Sequence, residues 1–290
     1  MKWIDTHCHV HFNAFQEDMD EVVERNLTEG VGMLTVGTQS TTSANGIKLA
    51  ERYEGVWCSI GLHPNHVHAQ QFHDVNELPK EDSQSANDAK QEQIKTRSES
   101  FDADYYKTLV NHPKVVAIGE CGLDYYRIPE GADEQQVKHE QWNECKSQLE
   151  FASKYNKPVI IHCRDAHLDQ YTLLKEVIDQ GGLIQRGVIH SFTGTLEEAH
   201  RYINLGFKLG INGILYFSDE LQAVVAELPI DSLLLETDAP YLTPPPNRGK
   251  RNEPFRIKEI AQKIADLQAM TLEQVQKTTT QSAHELFGVN

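Results

Sequence analysis

A chain of 290 residues with 43 acidic side chains against 27 lysines and arginines has a formal net charge of −16, which excludes a protein that coats nucleic acid through a broad basic surface. Its length suits one large domain, since α/β barrels of about 250 residues fold as single units. Five cysteines without a C-x-x-C pair fit a reducing compartment better than a disulfide framework. The opening Met1-Lys2-Trp3-Ile4-Asp5 has no basic region followed by an apolar stretch, and no run reaches the roughly 18 apolar residues of a membrane span. A soluble, cytoplasmic protein with no membrane partner is expected.

Taken in chain order, the first strand is expected over 3–8, within Ile4-Asp5-Thr6-His7-Cys8-His9. Alternation along an extended strand turns His7 and His9 to the same face, where they can grip one cation. Helical spacing follows over 18–29, then a strand over 31–37, a helix over 43–53 and a strand over 55–62 that leads into His63. From about 74 to 104 the rhythm breaks into a run rich in Gln, Ser, Asn, Glu and Lys, which reads as a solvent-exposed, partly helical insertion. Of the histidines before it, His63 sits at a strand end, while His66, His68 and His73 read as surface residues. The alternation resumes with a strand over 114–120 ending on Glu120, a helix over 134–155 and a strand over 158–163 carrying His162. Then come a helix over 169–180, a strand over 187–191 carrying His190, a helix over 196–205 and a strand over 207–211. A helix over 219–227, a strand over 232–237 followed by Asp238, and a helix over 253–268 complete the series. Eight strands alternating with helices predict a single-domain α/β fold, the (β/α)₈ TIM barrel, over a doubly wound sheet.

In such barrels the chemistry stands at the C-terminal strand ends. His7, His9, Glu120, His162, His190 and Asp238 all fall there, so residues far apart in the chain are expected to meet in one cup. Imidazole and carboxylate together suit zinc, manganese and other first-row divalent ions. Cys8, Cys121 and Cys163 each adjoin one of these residues, but alternation turns them toward the helices, where a thiol packs as a small apolar group. Six donors exceed the needs of one tetrahedral ion with an open position. Two ions sharing a carboxylate are the economical arrangement, with a third left open, and Glu120 is the expected bridge. His7, His9 and Asp238 would complete the first site, His162 and His190 the second. Two ions about 3.5–4 Å apart can activate water and clamp the entering and leaving oxygens of a displacement at phosphorus. Asp238 is expected to hold the attacking water and accept its proton. His63 and Arg164 are candidates to contact phosphate, for which the arginine fork is well shaped. Arg248, Lys250 and Arg251 follow the Thr243-Pro244-Pro245-Pro246 turn on the same face.

The strings DTHCHVHF at the start, SIGLHP at 59–64, AIGECGLDYYR at 117–127, VIIHCRDA at 159–166, IHSFTG at 189–194 and LLETDAPYLTPPPNRGKRNEP at 234–254 resemble the signature blocks of the TatD family of metal-dependent deoxyribonucleases, within the amidohydrolase superfamily. The resemblance covers nearly the whole chain in the right order. It implies a TIM barrel with two or three divalent ions (Zn, Mg or Mn), and 3′-to-5′ hydrolysis of DNA with a preference for single strands. Position by position it carries metal binding onto His7, His9, Glu120, His162, His190 and Asp238, with phosphate contact on His63 and Arg164. Catalysis is expected from Asp238 and Glu120, DNA ends are the expected partner, and a monomer is expected. His11 departs from the aspartate often found after the H-x-H, and Cys121 and Cys163 replace small or aliphatic neighbours; none of these removes a ligand. Two other readings stay open. One is an ester or amide hydrolase such as an aminoacyl-tRNA deacylase, and the other is a silent metal-binding scaffold, against which the full ligand set argues.

Overall fold

The computed structural model describes residues 1–68, 74, 76, 77 and 98–289. Strands β1 (Trp3–Cys8), β2 (Val31–Val36), β3 (Val56–Ile60), β4 (Val115–Asp124), β5 (Val159–Arg164), β6 (Gly187–Ile189), β7 (Lys208–Ile211) and β8 (Leu233–Leu235) pair in parallel in sequence order. Runs such as Val-Val-Ala-Ile and Val-Ile-Ile are buried on both faces, as parallel strands covered by helices require. The ring closes where β8 meets β1: Asp238 N–H donates to His7 O (2.8 Å), His9 N–H to Ala239 O (2.7 Å) and Thr6 Oγ1 to Leu235 O (3.0 Å). The eightfold TIM barrel expected from the sequence is therefore the observed fold.

Around the barrel run α1 (Met19–Thr28), α2 (Ser40–Arg52), α3 (Ala103–Lys107), α4 (Glu134–Tyr155), α5 (His167–Asp179), α6 (Leu196–Asn204), α7 (Asp219–Glu227), α8 (Ile257–Gln268) and α9 (Leu272–Phe287). Capping residues set several of the ends: Asp133 accepts from the first backbone N–H groups of α4, and Thr195 with Glu198 forms a capping box on α6. The larger apolar cluster lies between strands and helices and includes Cys8, Cys121 and Cys163 beside Val22, Leu149 and Leu173. A second cluster joins Ile4, Leu34, Ile160, Val188 and Leu234 to Ala283, Phe287 and Val289. There α9 lies across the N-terminal ends of the strands, with Thr280 bonded to Lys2 O (3.1 Å) and Ser282 to Asp231 O (3.0 Å).

Three features differ from the sequence reading. β4 runs on to Asp124, so Glu120 stands inside it rather than at its end; the pairing with β5 shifts register between Ile118 and Cys121 and then continues. Gly122, at φ +145°, permits this, because a Cβ there would lie 1.9 Å from His162 O. The second difference is α9, absent from the expected elements because Thr278-Thr279-Thr280 lowers helix propensity; docking onto β1 and β8 overrides it. The third is the polar run at 74–104, of which residues 75 and 78–97 lie outside the described residues. Its described ends are docked rather than free: Asn13 and Ala14 N–H groups donate to Glu77 O and Asn76 O, and Tyr241 OH to Asp74 Oδ2 (2.7 Å).

Candidate active site

β1 delivers His7 and the adjoining His9 to the mouth, β4 Glu120, β5 His162, and the turns after β6 and β8 His190 and Asp238. His7 Nε2 lies 3.3 Å from His9 Nε2, 3.3 Å from Glu120 Oε2 and 3.8 Å from Asp238 Oδ1. The His190 ring stacks on His7, centroids 3.4 Å apart, and its Nε2 is 3.7 Å from Asp238 Oδ1. His162 is bracketed by carboxylates, Nδ1 2.9 Å from Glu120 Oε1 and Nε2 3.0 Å from Asp124 Oδ2. His63 joins this side, with Nε2 3.4 Å from Glu120 Oε1 and its ring 4.3 Å from that of His162.

All six expected donors thus meet in one cup, where His190 Nε2 lies 3.9 Å from Glu120 Oε1 and its ring stacks on His7. Donors within 4.8 Å of one another form the sets His7, His9 and Glu120; His7, His190 and Asp238; and His63, Glu120 and His162. Glu120 presents Oε2 to His7 (3.3 Å) and Oε1 to His162 (2.9 Å), His63 (3.4 Å) and His190 (3.9 Å).

Proton bookkeeping shows why the cup suits a cation. His9 Nδ1 is 2.8 Å from Val36 O, a group that only accepts, so the neutral ring turns a bare Nε2 lone pair toward the centre. The oxygens of Glu120 and Asp238 are acceptors as well. Such a crowd of buried acceptors needs positive charge, from protons or from a metal ion. His63 differs: its Nδ1 accepts the Asn65 N–H (3.1 Å), so in the neutral ring Nε2 carries the proton and faces oxygen as a donor. With that proton His63 can donate to an anionic oxygen; without it the same Nε2 is a lone-pair donor in the set with Glu120 and His162.

The electrostatics follow. Burial would raise the Glu120 carboxyl, yet the imidazoles of His63, His7 and His190 and the bond from His162 hold it well below its usual range. Burial lowers His63 to about 4, helped by the neighbouring His162. Burial also works against the charged form of His162, but bonds to Asp124 and Glu120 raise it to about 9. His190 is raised against burial to about 10, chiefly by Glu236 and Glu120.

Sequence reasoning missed three buried carboxylates that position these groups. Asp124 holds His162 from behind. Glu236 Oε1 lies 2.9 Å from His190 Nδ1 and accepts from Ser191 N–H (2.7 Å) and Asn212 Nδ2 (3.2 Å); a Cβ on Gly210 would lie 2.1 Å from its Oε2, so the glycine makes room for it. Asp5 accepts from the N–H groups of His7 (3.1 Å) and Thr237 (3.0 Å), tying β1 to the approach to Asp238. The signal was available: Asp5, Glu236 and Asp124 are polar residues in apolar runs, each two or four residues from a donor.

The remaining candidates are placed as follows. Arg164 lies over the ring of Tyr126, its Cζ 3.8 Å from the centroid. Arg251 is not free for substrate, because both guanidinium arms bind Asp18 (2.7 and 2.6 Å). His11 is buried against Thr35 Oγ1 (2.6 Å), and burial holds it down to about 3. His66 and His68 are partly buried rather than surface groups, paired with Glu77 (3.1 Å) and Glu140 (3.2 Å); His73 lies outside the described residues.

A family model described as TatD related DNase matches residues 4–288. The chain is 36% identical over 289 residues to the uncharacterized metal-dependent hydrolase YabD of Bacillus subtilis, covering 99% of each. It is 34% identical over 287 residues to the 3′-5′ ssDNA/RNA exonuclease TatD of Citrobacter koseri, covering 96% of this chain and 95% of that one. The crystal structure of YjjV, a TatD homolog from Escherichia coli K12, aligns with a TM-score of 0.79 at 28% identity over 100% of this chain and 99% of that one. A match that runs from Ile4 to Gly288 over a barrel with this cup makes the conclusion direct: the chain belongs to the TatD family of metal-dependent hydrolases.

Proposed function

We propose that the protein is a 3′-to-5′ exonuclease acting on single-stranded DNA ends through two or three divalent ions (Zn, Mg or Mn) held by His7, His9, Glu120, His162, His190 and Asp238. The observation that carries this reading is Glu120, a buried carboxylate whose two oxygens serve two groups of imidazoles. Bound divalent ions would supply Lewis acidity toward a phosphodiester and lower the pKa of water.

The chain's own groups do the rest. Asp238, whose side chain keeps 18% exposure against 4% for Glu120, is the carboxylate that water reaches, and it accepts the proton of the attacking water. The Nε2–H of His63 donates to a phosphate oxygen, and Arg164 offers a fork to the same anion. Asp124 and Glu236 fix the rings of His162 and His190, as carboxylates behind metal-facing histidines do. The name of the Citrobacter koseri relative supports nucleic acid as the substrate. The protein works as a monomer in the cytoplasm, with no membrane partner; among the described residues no helix is long and apolar enough to cross a membrane.

The test is digestion of 5′-labelled single-stranded DNA with Mg²⁺, Mn²⁺ or Zn²⁺, comparing wild type with Glu120→Ala and Asp238→Asn. The expected outcome is a ladder shortening from the 3′ end that both variants lose. Folded variants that digest like wild type would refute the centre. Wild type that spares DNA and cleaves aminoacyl esters would move the chain to the deacylase reading.

A further inference from the structure

Exposed large apolar side chains include two aromatics, Tyr126 at 62% and Phe217 at 45%, and both stand on the C-terminal side of the barrel. Each carries an arginine on its ring: Arg164 Cζ lies 3.8 Å from the Tyr126 centroid and Arg248 Cζ 4.6 Å from that of Phe217. Tyr126 follows Asp124 by two residues, and Arg164 follows His162 by two, so this pair adjoins the carboxylate-bracketed histidine. Phe217 follows the turn after β7, and Arg248 lies in the loop after Asp238. Beside them a cleft of about 540 Å³ is lined by Phe217, Pro240, Leu242, Thr243, Arg248 and Lys250. Pro240 is two residues from Asp238, so the cleft opens next to the reacting centre.

Charge pairing separates these two arginines from others in the chain. Arg25, Arg52, Arg201, Arg251 and Arg256 each face a carboxylate. In a protein of net charge −16, Arg164 and Arg248 are seen on aromatic rings rather than on carboxylates among the described residues, and Arg186, which also lacks a carboxylate, spends its guanidinium on the carbonyls of Leu183 and Leu205. A single exposed aromatic is unremarkable. Two that each hold an unneutralised guanidinium on one face, at the mouth of one barrel, form a surface suited to a flat ring joined to an anion.

We infer that Phe217 with Arg248 and Tyr126 with Arg164 are base-stacking platforms, the first holding a nucleobase in the cleft beside Asp238 and the second gripping the strand across the mouth. This rests on the nuclease reading above and adds how the strand is held. Aromatic faces and guanidinium planes stack bases without regard to sequence, while the guanidinium charge holds the adjoining phosphate. The β4–β5 and β7–β8 loops are three strands apart around the eightfold ring, so a strand engaged by both crosses the centre between them. Duplex bases are already stacked on each other, so such platforms favour single strands with weak sequence preference.

The test measures kcat/KM for wild type, Phe217→Ala, Phe217→Tyr and Tyr126→Ala on single-stranded DNA, on the same oligonucleotide with abasic sites near its 3′ end, and on a fully abasic oligonucleotide, a chain of phosphodiesters with no flat ring. Each alanine variant is expected to lose about 10- to 100-fold on DNA, mainly through KM. Phe217→Tyr should retain activity, the fully abasic chain should be cut equally by wild type and both Phe217 variants, and abasic sites near the 3′ end should erase the difference between wild type and Phe217→Ala. If folded Phe217→Ala and Tyr126→Ala digest DNA as wild type does, the platforms are refuted and the nuclease reading stands. If wild type leaves both single-stranded DNA and the abasic chains intact, the nuclease reading falls, and the platforms with it.

Discussion

The barrel's N-terminal end is filled by Ile4, Leu34, Ile160, Val188, Leu234 and Phe287, whereas a few residues further along the same strands the interior holds Asp5, His7, Glu120, His190 and Glu236. At the first end, burying each large apolar side chain stabilises by about 1.5–3 kcal/mol. At the second, removing ionisable groups from water costs free energy that mutual pairing repays only in part. One end therefore holds the fold together, and the other is a strained arrangement that the fold tolerates for the sake of a cation. Mutations at the two ends should separate stability from activity.

The sharpest break in that division is Glu120→Gln. Hydrolysis should fall by about 10³-fold or more, while the metal-free protein still unfolds in one cooperative transition; a variant that does not fold would mean Glu120 is a structural strut. The opposite case is Phe287→Ala, expected to cost about 3–5 kcal/mol in denaturant unfolding through the cavity it leaves, with activity per folded molecule unchanged. Between the two lies Asp124→Asn, which still fills its place behind His162 but loses the charge; metal affinity measured by equilibrium dialysis should weaken by about 10- to 100-fold.

The pH response sharpens the same contrast. In chelator, burial opposes protonation of His162 and His190, but Asp124 with Glu120 raises the first to about 9, and Glu236 with Glu120 raises the second to about 10. Raised pKa values give stability that is fully present below the unfolded histidine value near 6.5 and is lost as pH climbs through 9 to 10. The thermal midpoint in chelator should fall across that window, and less so with ions bound, which replace the protons; equal decline in both conditions would contradict the assignment. The smallest effect is expected from Arg251→Gln, which breaks a partly exposed pair with Asp18 and should cost less than about 1 kcal/mol.

The sequence carried the alternation of strands and helices, because parallel strands buried on both faces read as short apolar runs, and it carried the six donors that terminate or interrupt those runs. It did not carry the surroundings of each donor. His190 and His162 look equivalent in sequence, and only the stacking on His7 and the bracket of Asp124 and Glu120 set them apart. The supporting carboxylates Asp5 and Glu236 were legible in principle, since each lies two residues from a donor and alternation puts them on its side of the strand. α9 was hidden by its threonines, of which Thr279 and Thr280 donate their hydroxyls to Val275 O and Lys2 O once the helix is docked. The extension of β4 to Asp124 was hidden by glycines that serve close approach to β5 rather than a turn.

If Glu120 joins two groups of imidazoles into one centre for at least two ions, both ions depend on its carboxylate. Titration of Mn²⁺ into metal-free wild type and Glu120→Gln, followed calorimetrically, tests this most directly. At least two ions are expected per wild-type chain, with weakening of both in the variant, because one carboxylate serves both. A variant that binds the same number of ions with unchanged affinity would contradict it.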